Sequence, residues 1–212
     1  MSKLDFGGDL RAFLRAKLKQ KDDSADRGAP LHGDFDLNPH MPTREERRLR
    51  PAAVLVPIIQ RRAGPTVLFT KRADTLQAHA GQVSFPGGRI EERDGGAVAA
   101  ALRETEEEIS LSREFVEVVG FLDHYETGTG FVITPVVSIV REGFALQADA
   151  AEVAEIFETP FDFLMNPANH QRHSREWQGR TRHFYAMPYD GQYIWGATAG
   201  MLVNLYERLT RS

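Results

Sequence analysis

The chain has 212 residues, 42% hydrophobic and 26% charged, enough to bury one substantial core with room for an additional terminal segment. Its 26 basic and 30 acidic residues leave a formal net charge of −4, so no global basic field points to nucleic acid, although a local basic site for an anionic ligand stays open. With no cysteine, disulfides, thiolate nucleophiles and cysteine-ligated metal centres are excluded, and any metal must be held by carboxylates, histidines or backbone carbonyls. The stretch MSKLDFGGDLRAFLRAKL lacks the apolar core of a signal peptide. No run approaches the ~20 apolar residues of a membrane span, which predicts no membrane partner and a cytoplasmic location.

Residues 1–49 differ in texture from the rest of the chain. Leu10, Phe13, Leu14 and Leu18 recur at helical spacing and predict a short amphipathic helix near residues 8–19. The polar, Pro-, Gly- and Asp-rich run after it reads as an irregular arm, favoured as a solvated tether, with a dimer contact or a lid as the functional alternatives. His32 and His40 fall in it and are expected to be exposed.

From residue 50 to 212 the texture is that of one main domain. AAVLVPII (52–59) and TVLFT (66–70) predict a hairpin, with Gly64-Pro65 as its turn. A helix is expected over about 96–109, then strands at 115–122 and 131–140. DAAEVAEIFETPFDFLMN predicts a second helix from the spacing of Val153, Ile156, Phe157, Phe161 and Leu164. Strands at 182–187 and 192–196 precede a C-terminal helix striped by Leu202, Leu205, Tyr206 and Leu209. Strands and helices interleave without a strict βαβ rhythm, which predicts an α/β (α+β) fold on a mixed or antiparallel sheet.

The first main-domain helix ends in LRETEEEIS, with four glutamates in five residues. Like charges three or four residues apart on a helix repel by ~0.2–0.5 kcal/mol per pair. Glu104, Glu107 and Glu108 stand at i, i+3 and i+4 and share a face, whereas Glu106 points elsewhere. A solvated acidic face is the ordinary explanation of such a run. Two features favour a site for a hard divalent cation instead. Arg103 is placed to orient a carboxylate, and the small apolar run of residues 97–102 suits a helix packed into the domain. Upstream, SFPGGRIEERDGG supplies a glycine turn whose backbone can approach a ligand closely.

Gly88, Arg103, Glu104, Glu107 and Glu108 resemble the Nudix box, G-x5-E-x7-R-E-U-x-E-E-x-G-U, where U is bulky and apolar. The family uses Mg²⁺ or Mn²⁺ to hydrolyse a diphosphate linked to another moiety, on an α/β/α sandwich with a mixed sheet. Here the loop is one residue longer, Asp94 stands near the place of the loop glutamate, Thr105 replaces the bulky residue and Ser110 the last glycine. The role of Asp94, or of Glu91 and Glu92, stays open on the sequence alone. Residues 68–88, LFTKRADTLQAHAGQVSFPGG, are similar to the segment preceding the box in coenzyme A pyrophosphatases, matching at Leu68, Thr70, Ala73, Gly81, Phe85, Pro86, Gly87 and Gly88. Phe69 and Gln77 depart from it, the latter standing where an arginine is usual.

The resemblance implies a cation held by Glu104, Glu107, Glu108 and the Gly88 carbonyl, with Arg103 fixing Glu104. Glu107 is the first choice for orienting or deprotonating the water and Glu152, expected on the later helix, the second. Lys71, Arg72, His79, Gly87 and Gly88 are the substrate-binding candidates, His79 standing equally for loop structure. The implied partner is a small-molecule diphosphate, coenzyme A giving 3′,5′-ADP and 4′-phosphopantetheine. Another nucleoside diphosphate derivative is the alternative that Gln77 favours, and a non-catalytic binding domain is least favoured because the glutamate set is complete. No nucleic-acid partner is expected, and a homodimer remains open. His170, His173 and His183 lie among Arg172, Arg175, Arg180 and Arg182 without a spacing that fixes their convergence, and Trp177 and Trp195 read as packing residues.

Overall fold

The computed structural model describes residues 8–23, 31–40, 49–177 and 179–211. In the arm lie α1 (Leu10–Lys17) and the short strand β1 (Leu31–Gly33). The long hairpin comes next as β2 (Arg50–Arg61) and β3 (Gly64–Arg72), then β4 (Val83–Ser84) and β5 (Gly87–Arg89). Helix α2 (Ala97–Ile109) leads to β6 (Val116–Phe121), β7 (His124–Glu126), β8 (Phe131–Val140) and β9 (Val153–Pro160). After the single turn α3 (Phe161–Leu164) come β10 (Gln171–Trp177), β11 (Arg180–Tyr189), β12 (Gln192–Trp195) and α4 (Gly196–Thr210).

The first nine strands form one mixed sheet. Its spine is the parallel pairing of β2 with β8, in unbroken register from Arg50↔Phe131 to Ile59↔Val140. Strands β3, β5 and β6 join antiparallel to that spine. Residues pointing alternately from β2 reach different layers. Ala53 and Leu55 pack on Ala97, Ala100 and Ala101 of α2. Val54, Val56 and Ile58 join Leu10 and Leu14 of α1 and Leu202 and Leu205 of α4 on the other side. The result is the expected α/β/α sandwich with a mixed sheet. A second, three-stranded antiparallel sheet is built from β10, β11 and β12. No helix among the described residues is long and apolar enough to cross a membrane.

Four expectations are corrected. The hairpin turns at Arg62-Ala63, since Arg61 pairs with Gly64 and Gln60 with Pro65, so Gly64 and Pro65 already belong to β3. The second helix is mostly a strand: β9 runs antiparallel to β3 from Thr66↔Pro160 to Lys71↔Glu155, and Phe157 stacks on Phe69 at 5.6 Å. On that side β3 presents N–H and C=O groups that must be paired, and a strand pairs them where a helix cannot. Only the four residues after Pro160 coil into α3.

The described parts of the arm, residues 8–23 and 31–40, are no free tether. Leu10, Leu14 and Leu18 are buried, β1 pairs in parallel with β7, and the buried Asn38 side chain bonds both the N–H and the C=O of His183. Lastly, His32 is half-buried against Asp36, its Nδ1 3.1 Å from the carboxylate, whereas His40 is exposed as expected.

Candidate active site

Two glycines and one helix make the site. Gly96 precedes helix α2 as its N-cap, with a φ of 124° that is open to glycine, and small residues on one side let the helix lie close on β2. Thr105, where the box has a bulky residue, is fully buried, and its hydroxyl donates 2.6 Å to the Ala101 carbonyl, so no polar atom is left unpaired. Ser110, in place of glycine, still takes the left-handed cap at φ 58°, and its N–H closes on Glu106 at 2.9 Å. Both replacements are thus accommodated within the helix and its cap.

The turn Gly87-Gly88 sits in β5, opposite Val54 and Ala53 of β2, and faces the helix glutamates. The Gly87 N–H donates 3.2 Å to the Glu108 carboxylate. A Cβ built on Gly88 would stand 2.5 Å from the Glu104 carboxylate, so any side chain there would have to push Glu104 aside. Glu108 is buried, with a 4% exposed side chain, and among the described residues its one nearby cation is Arg72, at 3.9 Å. Burial pushes the Glu108 carboxyl up to about 8, offset only in part by the Gly87 N–H and Arg72, with Glu104 and Glu152 adding repulsion. Burial likewise raises Glu104, against the Arg103 contact.

Arg103 ties the acidic cluster together. Its Nε and Nη2 donate in a bidentate pair to Asp94 at 2.9 Å, and Nη1 donates to both Glu104 and Glu107, also at 2.9 Å. The same Nη2 reaches the Arg89 carbonyl at 3.3 Å. Two guanidinium hydrogen bonds, helped by the Glu91 N–H, hold the Asp94 carboxyl down at about 2. Asp94, whose role the sequence leaves open, therefore anchors Arg103.

The predicted residues are not all gathered in one place. Glu104 and Glu107 share one guanidinium nitrogen, Glu107 stays half-exposed at 53%, and Glu108 turns inward to the glycine turn. Arg72 and Lys71 end β3, Arg72 close to Glu108. His79 is exposed on the loop after β3, at φ 60°, with its Nδ1 on Gln82, and Gln77 is exposed nearby. Glu152 lies just before β9 rather than on a helix, and its carboxylate acts on both Glu104 and Glu108. What sequence reasoning misses is the Arg72–Glu108 contact, which depends on the β3–β9 pairing at a place where the apolar spacing suggests a helix.

Among the described residues, a trio of ligating side chains within 4.8 Å of one another occurs only at Asp22, Asp23 and His124, where Lys19 already pairs with Asp23. A cavity of about 150 Å³ lies between the arm, β11 and α4, lined by His32, Asp34, Tyr125, His183 and Glu207. None of the predicted site residues lines it.

Comparison with known proteins places the chain in a family. The NUDIX domain matches residues 49–178. The uncharacterized Nudix hydrolase NudL of Cronobacter sakazakii is 40% identical over 169 residues, covering 80% of this chain and 87% of that protein. NudL of Escherichia coli is 38% identical over 162 residues, covering 76% and 84%. Among solved structures, the NUDIX domain of Shewanella oneidensis NrtR complexed with ADP ribose aligns over 82% of this chain and 94% of its own, at 15% identity and a TM-score of 0.48. A diphosphate chemistry anticipated from glycines and glutamates meets a domain match over more than half the chain: the protein belongs to the Nudix family and is a pyrophosphohydrolase acting on nucleoside diphosphate derivatives.

Proposed function

We propose that this hydrolase cleaves the diphosphate of coenzyme A or its derivatives, releasing 3′,5′-ADP and 4′-phosphopantetheine, with Mg²⁺ or Mn²⁺ bound at Glu104, Glu107, Glu108 and the Gly88 carbonyl. The observation that carries the reading is the junction of two sequence segments in space. The 68–88 segment ends in the Gly87-Gly88 turn, and that turn packs directly on Glu108 and Glu104. This packing supports a reading in which the end of the 68–88 segment and the acidic helix serve one site.

The donor set fits a hard cation. It is all oxygen, and Glu108 is a buried carboxylate met by one N–H and a distant guanidinium, an arrangement that favours a further positive charge. A divalent cation held there supplies charge neutralisation for the diphosphate and lowers the pKa of a coordinated water. The chain's own residues do the rest. Asp94 fixes Arg103, and Arg103 fixes Glu104 and Glu107. The half-exposed Glu107 carboxylate accepts a proton from the attacking water, and Glu152 is the second candidate for that role. Lys71 and Arg72, at the end of β3, meet the negative charge of the substrate, together with His79 on the adjoining loop.

Gln77 favours a second reading, because an arginine's donor fork suits the additional 3′-phosphate of coenzyme A. In that reading the substrate is another nucleoside diphosphate derivative, such as ADP-ribose, a dinucleotide or a nucleotide sugar. A panel of these compounds with Mg²⁺ or Mn²⁺ separates the two. Release of 3′,5′-ADP from coenzyme A is expected at a higher kcat/KM than cleavage of ADP-ribose. Ready cleavage of ADP-ribose with no 3′,5′-ADP would hand the protein to the second reading.

A further inference from the structure

Net charge argues against nucleic acid, but it says nothing of how charge is distributed over a surface. The second sheet has two unlike faces. One carries Met187 and Ile194 into the core. On the other, register sets Arg175 and Trp177 of β10 opposite Arg182 and Arg180 of β11, with Tyr193 and Trp195 of β12 on the same side. The Arg175 guanidinium stands 4.6 Å from the Trp195 ring centre and Arg182 4.9 Å from that of Trp177. Tyr193, at 40% exposed, is the large apolar side chain most open to solvent among the described residues. No aspartate or glutamate lies on this face of the strands, since Glu176 points to the opposite one. Arg175, Arg180 and Arg182, whose convergence no sequence spacing fixes, are thus brought together beside two tryptophans that the sequence reads as packing residues, while Arg172 and His183 face the other way.

We propose that this face binds single-stranded nucleic acid. A second copy of the chain is disfavoured by charge, because a two-fold contact would set arginine against arginine with no carboxylate between. A small ligand is disfavoured by shape, because such ligands are held in concave pockets and this is an open sheet face. An acidic peptide would meet the guanidiniums but leave the rings unused. Cations alternating with aromatic rings match a strand whose phosphates pair and whose bases stack. The four residue steps from His173 to Trp177 span ~13 Å, room for a few bases.

The chain has two tryptophans, Trp177 and Trp195, and both lie here, so selectively excited tryptophan fluorescence reports on this face alone. The full chain is titrated with oligo(dT) and oligo(rU) of about 12 nucleotides at low salt, following tryptophan quenching and the anisotropy of a labelled oligonucleotide. We expect saturable quenching, with log K falling against log salt at a slope of about −2 for three neutralised phosphates on a single strand. The double variant Arg175→Ala/Arg182→Ala should weaken binding at least ~10-fold and flatten the slope to about −0.7, leaving diphosphate hydrolysis unchanged. Tyr193→Ala should weaken oligonucleotide binding with little change of slope. The proposal is overturned if no oligonucleotide binds at low salt, or if inorganic polyphosphate or an acidic peptide binds as tightly. Equal quenching by coenzyme A or ADP-ribose at the same concentration would make the face a substrate subsite, and a dimer that the double variant dissociates would make it a self-interface. Either result also overturns it.

Discussion

Glu108→Gln is expected to lose on the order of 10³-fold in turnover and, at alkaline pH, to melt at a higher temperature than the parent chain. The two effects share one cause. Glu108 is buried beside Gly87, and burial lifts its carboxyl from the ordinary 4.5 to about 8. Between those values the folded chain keeps a proton that the unfolded chain has released, so stability falls as pH rises from about 4.5 and is at its lowest above about 8. The full penalty is roughly 3–5 kcal/mol at the alkaline end. Glutamine keeps the shape and still accepts from the Gly87 N–H, but it cannot ionise and brings no charge to a cation. Melting curves at pH 5 and pH 9 with and without Mg²⁺ check this. The parent chain should lose stability at pH 9 and regain it with the cation, whereas the variant should do neither. Undiminished activity in the variant would remove Glu108 from the chemistry, and an unchanged melting slope would refute its burial as a charge.

The adjacent glycines should fail in different ways. At Gly87, with φ 148°, an added Cβ would press into the Ala53 carbonyl oxygen and come within 2.6 Å of Val54 Cα. Both obstacles are backbone of the central strand, so nothing can move aside, and Gly87→Ala should destabilise by more than ~3 kcal/mol, enough to leave little folded protein. At Gly88 the obstacle is the tip of a side chain, the Glu104 carboxylate at 2.5 Å. Gly88→Ala should therefore fold, within ~1 kcal/mol of the parent, while displacing Glu104 and losing on the order of 10²-fold in kcat/KM. Soluble yield and circular dichroism separate the two variants before any assay is run. A well-folded Gly87→Ala, or a fully active Gly88→Ala, would contradict the packing of this turn.

How much of the site is legible in the sequence depends on range. The contact of Arg103 with Glu104 is anticipated from their adjacency, whereas the second bond from the same nitrogen to Glu107, one helical turn on, goes beyond that reading. Whether Asp94 or a loop glutamate matters depends on where a loop folds, and the bidentate clamp on Arg103 appears only in space. The inward turn of Glu108 is hidden for the same reason: its neighbours, Gly87 and Arg72, lie 21 and 36 positions away. In the fold, β2, β8 and α4 are legible because long runs commit to one periodicity. β9 is not, because Val153, Ile156, Phe157 and Phe161 fit a helical stripe as well as a half-solvated strand, and the pairing needs of β3 decide between them. The arm misleads by composition. Its polar residues are many, but three leucines one turn apart and the Asn38 bonds to a residue 145 positions away tie it down.

That docking of the arm has a further consequence. β1 supplies hydrogen-bonding partners along one side of β7, which would otherwise end the sheet there. A chain begun at residue 50, where the texture turns apolar, would keep all of α2 yet bare that margin, along with the greasy ground under Leu10, Leu14 and Leu18. Uncovered strand margins template the addition of foreign strands. The segment that composition marks as a tether thus covers a strand margin, and a chain begun at residue 50 is expected to aggregate more readily than the full chain.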